Sequence, residues 1–303
     1  MVSLGVVKLN VRLLEDSALE LCLERLDVSE DIACALRSFH HTVVTCRKLT
    51  ARLVERHAAL FNSTYPNKLG FGLSQLNGET DAMLDALACL VEMPNTLTRY
   101  RQLGMPTASV KECLADFEIW MCHYHSRTGY WGIAEADWVA LSFACKVFRL
   151  GRLQFEPGRF KASDFRRVNH RDLPDSSNVL RVHIPASGRL CPDACTDSLT
   201  RALNFFTRNC FNRSYVAFLC HSWILDRQFM NYLAADSNIV QFSKRFAPLE
   251  PVVKSDVQTM ERVFGAYPVD INTAPQDTLL QRVIIAHIRR GGSWGMGAGY
   301  IRI

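Results

Sequence analysis

No apolar stretch of this chain reaches the length of about 20 residues that a membrane-crossing helix requires. No Cys-x-x-Cys pair, Walker loop, dinucleotide fingerprint or Gly-x-Ser-x-Gly elbow occurs in it either. These absences argue against a membrane-inserted protein, a paired-cysteine zinc module, a P-loop enzyme and an elbow-type esterase. Met1 to Asn10 lacks the charged start and apolar block of an export signal, so a cytoplasmic protein is expected. The eleven cysteines are odd in number and irregularly spaced, which fits reduced thiols acting as small buried hydrophobes. On that reading the sequon Asn62-Ser63-Thr64 is a coincidence. The net charge of +5 is mild, and basic residues cluster only briefly, as in Lys161 to Arg171. Nucleic acid is therefore not an expected partner, whereas an anionic small molecule suits the balance.

The 303 residues divide by pattern into a helical part, residues 1–149, and an α/β part, residues 150–303. In the first, leucines and other apolar residues recur at helical spacing in Thr80 to Val91, Val110 to Tyr124 and Asp137 to Phe148, and strand signals are scarce. Asn62 to Asn77 reads as a surface loop. In the second part, strands are expected at Arg152 to Phe155, Asn178 to Ile184, Tyr215 to Cys220, Ile239 to Phe246 and Trp294 to Ile303. Helices are expected from Pro192, from Asp226, over Asp256 to Phe264 and over Thr273 to Arg290. Pro192 suits a first helical turn, Asp226 an N-cap, and Thr273 with Gln276 has capping-box spacing. The alternation implies a mixed α/β sheet preceded by a helical domain.

The run Tyr215 to Asp226 begins apolar and ends in Cys220, His221, Ser222 and Trp223. Polar groups at the carboxyl end of a buried strand sit where open α/β sheets bind ligands. Strand alternation places Cys220 and Ser222 on one face and His221 on the other. Two readings stay open: a reactive Ser222 or Cys220 drawing on His183 or His221 with Glu156 or Asp226 as orienting acid, or a packed Cys220 with Ser222 and His221 merely ending the strand. His183, near the end of its strand, titrates close to neutrality and suits a general base. Gln154 and Glu156 share a face, and Glu156, next to Pro157, is expected at a sheet margin as base, amine anchor or solvated carboxylate. Cys191 with Cys195, and Cys122 with His123 and His125, lack zinc-site spacing, so no metal is expected.

Five segments, in order, carry a family resemblance: Phe148-Arg-Leu-Gly-Arg-Leu-Gln-Phe-Glu156, Val182-His-Ile-Pro185, Cys220-His-Ser-Trp223, Ser237-Asn-Ile-Val240 and Arg290-Gly-Gly-Ser-Trp294. They resemble the C-terminal domain of two-domain GNAT-like N-acyltransferases. Ala115-Asp-Phe-Glu-Ile-Trp120 and the turn near Gly132 resemble their N-terminal domain. The resemblance implies a splayed mixed sheet with acyl-coenzyme A as co-substrate and a small-molecule or peptide amine as acceptor. It implies His183 or Glu156 as base, Tyr232 as the acid that protonates the leaving thiolate, and Gly188 and Arg189 as phosphate ligands. The segment Pro185 to Leu190 departs from the usual Gln/Arg-x-x-Gly-x-Gly/Ala loop. That departure keeps two alternatives alive: a hydrolase on the same fold using Ser222 or Cys220 without coenzyme A, and a non-catalytic binding module.

Overall fold

A computed structural model describes residues 15–61, 78–165, 172–208 and 214–303. The opening residues, the Asn62 to Asn77 loop with its sequon, and part of the Lys161 to Arg171 cluster lie outside the described residues. The chain forms two compact units, with the break between Cys145 and Lys146.

The first unit is helical: α1 (Asp16–Leu26), α2 (Glu30–Thr45), α3 (Arg47–Phe61), α4 (Glu79–Gln102), α5 (Thr107–Leu114), α6 (Asp116–Thr128) and α7 (Ala136–Phe143). Its centre is α4, buried without interruption from Met83 to Leu90. A helix apolar on every side belongs inside a domain, not on its surface. The turn at Gly132 comes so close that a Cβ there would stand 2.5 Å from the Ala82 Cβ. The polar groups that α4 does bury are matched. Arg56 pairs with Asp85, His57 lies 2.9 Å from Glu92, and Arg99 reaches Glu92 at 2.6 Å. Buried charges are tolerated when partners are supplied in this way.

The second unit contains β1 (Phe148–Leu150), β2 (Leu153–Arg159), β3 (Asn178–His183), α8 (Pro192–Arg208), β4 (Ala217–Ser222), α9 (Asn238–Lys244), β5 (Ala247–Lys254), α10 (Val257–Phe264), α11 (Leu279–Arg289) and β6 (Gly295–Arg302). Its six-stranded sheet has the order β1-β2-β3-β4-β6-β5. All neighbours are antiparallel except β3 and β4, the parallel pair joined through α8. A parallel pair needs such a crossover because a short turn cannot return the chain to the same end. The expected fold, a helical region followed by a mixed sheet with helices, is thus the observed one.

Several local expectations are corrected. Ile239 to Phe246 is not a strand: its residues up to Lys244 belong to α9, whose start is capped by the Ser237 hydroxyl accepting from the Val240 N–H at 3.4 Å, and Arg245 and Phe246 form the turn after it. The neighbouring strand is β5, whose Pro248 and Pro251 are tolerable because β5 is a sheet edge. The capping box of α11 is built by Thr278 and Gln281, not by Thr273 and Gln276. The segment after Asp226 is a 3-10 turn, Arg227–Asn231, capped by the Asp226 carboxylate. Finally, β2 does not stop at Phe155 but continues through Pro157 to Arg159. Pro157 lies beyond the end of β1, so its missing N–H leaves no rung of that ladder broken.

Candidate active site

The register of the sheet decides which side chains meet. In the β3–β4 ladder the rungs are Val179–Ala217, Leu180–Phe218, Arg181–Leu219 and Val182–Cys220. There the parallel pairing ends, although β4 stays paired with β6 through Ser222–Gly297, and β2 holds β3 at Gln154–His183. The next residues beyond the last parallel rung are His183 on β3 and His221 on β4. Paired residues share a face and successive ones alternate. Glu156, Arg181, His183, Leu219 and His221 therefore occupy one face. Val182, Cys220 and Ser222 occupy the other.

Glu156 is buried, with 3 % of its surface exposed, and sits within β2, not at a margin. The expected solvated carboxylate is corrected, because the strand continues past it. Its Oε2 lies 2.9 Å from His183 Nε2, and its Oε1 accepts from Arg181 Nη1 at 3.0 Å. A carboxylate accepting from Nε2–H fixes the neutral tautomer of His183 and leaves the ring's lone pair on Nδ1.

Cys220 is fully buried, and burial pushes its thiol up to about 12. A thiol held protonated is a poor nucleophile. The Ser222 hydroxyl accepts from the Ile224 N–H at 3.3 Å and caps the turn after β4. Both lie on the face opposite His183, so the expected pairing of either with that histidine is corrected by the register. Asp226 does not orient a histidine. Its carboxylate accepts from the Gly295 N–H at 2.7 Å, the Gln228 N–H at 3.0 Å and the Gln228 amide at 2.9 Å. It ties the start of β6 to the turn after β4. His221 is exposed by surface area, yet desolvation by the surrounding protein lowers its imidazole below the usual value of 6.5. It stands neutral at pH 7 on the same face as His183.

Tyr232 closes the 3-10 turn, and its hydroxyl lies 2.8 Å from His287 Nδ1. The other ring nitrogen, Nε2, faces the Ser293 carbonyl at 3.3 Å, which assigns the ring proton to Nε2. The Tyr232 proton thus points at His287, inside a cluster with Trp294 and Phe229 whose rings stack at 4.1 Å. In this arrangement the hydroxyl proton of Tyr232 is engaged by His287.

Between β3 and α8 runs the loop that departs from the glycine-rich pattern. Gly188 adopts φ +79°, a conformation open to glycine, and Arg189 is exposed. The loop is fastened by a residue whose part sequence reasoning missed. The Arg152 guanidinium donates to the carbonyls of Arg189 (2.9 Å), Gly188 (2.9 Å) and Pro185 (3.2 Å). Arg149 adds a bond to the Ser187 hydroxyl at 3.0 Å. Desolvation lowers Arg152, as expected for a guanidinium drawn into protein, without bringing it near neutrality at physiological pH. Here a side chain ties down a loop that has only one glycine to shape it. Arg149, Arg152 and Arg181 all lie in or beside the segments singled out from the sequence. Their partners, backbone carbonyls, a serine hydroxyl and a buried carboxylate, leave no mark in a motif.

Among the described residues no three His, Cys, Asp or Glu side chains converge as a metal site would require, and no helix is long and apolar enough to cross a membrane.

Among known families, residues 147–301 match the GNAT-like C-terminal domain and residues 17–145 match the N-acyltransferase N-terminal domain. No curated protein matches the chain. Among solved structures, an acyltransferase in complex with decanoyl-CoA is 26% identical, with TM-score 0.76 over 95% of this chain and 88% of that one. An acyltransferase in complex with decanoyl-CoA and teicoplanin is 23% identical over the same shares, with TM-score 0.77. A mutant acyltransferase in complex with octanoyl-CoA is also 23% identical over those shares, with TM-score 0.76.

Proposed function

The chain belongs to the family of the GNAT-like C-terminal domain, joined to an N-acyltransferase N-terminal domain, and we propose that it transfers a fatty acyl group from coenzyme A to an amine by direct attack. The observation that carries this reading is the end of the parallel ladder at Val182–Cys220, with His183 immediately beyond it and Glu156 holding that histidine from β2. A sheet that parts there leaves an opening between two strand ends, one bearing a histidine held in a defined tautomer. The likeness to an acyltransferase in complex with decanoyl-CoA supports a medium-chain donor.

Acyl-coenzyme A supplies the activated thioester. His183 Nδ1 takes the proton of the attacking amine, and Glu156 holds the ring and balances the imidazolium that forms. Proton acceptance by a placed side chain contributes about 10²–10⁴-fold in rate. Arg152 and Arg149 shape the loop from Pro185 to Arg189, where Gly188 and Arg189 receive the anionic part of the donor. Binding energy gathered there positions the thioester, so no covalent intermediate with the protein is required. Cys220 and Ser222 have no part in the chemistry. The hydrolase alternative loses its nucleophile to burial and to the wrong face of the sheet.

Calorimetric titration with coenzyme A, acetyl-CoA and decanoyl-CoA tests the donor. Micromolar binding of decanoyl-CoA, weakened by Arg189→Ala, is expected. No heat with any of the three would overturn the coenzyme A mechanism.

A further inference from the structure

Glu156 meets two residues of β3. His183 holds Oε2, and Arg181, directly opposite Glu156 in the β2–β3 ladder, donates to Oε1. The Arg181 side chain is laid into place by a gap in β2. Its guanidinium crosses Gly158 so closely that a Cβ there would stand 2.8 Å from Cζ and from Nη1. The same guanidinium also reaches the Arg159 carbonyl at 3.4 Å. Gly158 keeps an ordinary backbone conformation, so it is the space, not the dihedral angle, that calls for glycine.

We infer that Arg181 is a positioning residue that makes His183, not Glu156, the member of the pair that takes the proton, and that Gly158 exists to seat it. The inference rests on the reading of His183 as the base. A carboxylate buried beside an imidazole and lacking a cation would hold a proton jointly with it, and the pair would then titrate as a unit. The guanidinium stays charged at every relevant pH and partly neutralises the carboxylate that orients His183. Other groups bear on the pair from the surrounding strands. They are Arg149 on β1, in the row of Gln154 and His183; His221 on β4; and Tyr300 with the Arg302–Asp172 pair on and beside β6. Arg181 itself reaches the Glu156 carboxylate at 3.0 Å.

The test is the pH profile of kcat/KM with decanoyl-CoA and a fixed amine, each variant expressed as a ratio to the wild type. Arg181→Gln removes the cation, so the acid limb moves to higher pH by about one unit. The deficit then approaches about tenfold on the acid side of the limb and shrinks toward pH 9. Arg181→Lys, which keeps the charge, recovers much of the neutral-pH rate. Gly158→Ala pushes the guanidinium aside while leaving it in the protein, and moves the limb the same way by less. A uniform loss at all pH values in Arg181→Gln would overturn the inference, because a purely structural role has no pH dependence. If that variant does not fold, Gly158→Ala decides alone: a displaced limb supports the inference and an unmoved one overturns it. His183→Gln run in parallel separates the two levels. Retained activity in it sinks the base reading itself, whereas lost activity with an unmoved Arg181→Gln limb sinks only the role given to Arg181.

Discussion

The Glu156 carboxylate meets His183 Nε2 at 2.9 Å, diagonally across the β2–β3 ladder from inside the protein. That contact fixes which ring nitrogen carries the proton of the neutral imidazole. Replacing Glu156 by Gln keeps the size but offers an amide that no longer selects the tautomer or balances an imidazolium. The Glu156→Gln enzyme is expected to fold and to lose about 10²-fold or more in kcat. Steady-state kinetics on the purified variant, with circular dichroism for folding, checks this.

Cys220 is a packing residue. With its thiol raised to about 12 and no exposed surface, it should resist iodoacetamide at pH 8 in the folded protein. Exposed Cys34, Cys122 and Cys191 should be modified first. Peptide mapping by mass spectrometry reads the order. Cys220→Ala should keep turnover and lose about 0.5–3 kcal/mol of stability, the usual cost of a core truncation.

Arg152 acts on the loop, not on the reacting atoms. Arg152→Ala deletes three hydrogen bonds to the loop carbonyls and should raise the KM for decanoyl-CoA by about tenfold or more. A truncated thioester donor that lacks the diphosphate should be turned over as by the wild type. Equal losses with both donors would mean that the loop does not hold the anionic end.

His221 sets a small pH dependence of stability. Its folded pKa lies below the unfolded value of 6.5, so below that value the unfolded chain binds more protons than the folded one. Its contribution is complete above pH 6.5 and is lost as the pH falls through the window down to the folded pKa. Urea unfolding at pH 5 and pH 7.5 should therefore show a smaller difference in midpoint for His221→Asn than for the wild type.

Much of the architecture is legible in the chain. Helical spacing marks the first unit, and the βαβ passage from β3 through α8 to β4 is plain from apolar runs and Pro192. The misreadings have local causes. Ile239 to Phe246 is rich in β-formers, but the Ser237 cap commits it to a helix, and the prolines of β5 hide a strand that only an edge position permits. At the site, His183 and Glu156 were singled out by type and place, and the structure brings them together. The separation of His183 from Cys220 and Ser222 was not legible. It depends on the register between β3 and β4, which alternation within one strand does not encode. Arg152 and Arg181 were hidden for a related reason, since their partners are carbonyls and a carboxylate on other segments.

In the proposed mechanism His183, and neither Cys220 nor Ser222, drives acyl transfer. Amine-dependent thiol release from decanoyl-CoA is to be followed for the wild type, His183→Gln and the Cys220→Ala/Ser222→Ala double variant. The double variant should turn over close to the wild-type rate while His183→Gln falls by about 10²–10⁴-fold. An inactive but folded double variant, beside a His183→Gln enzyme that still works, would contradict that mechanism.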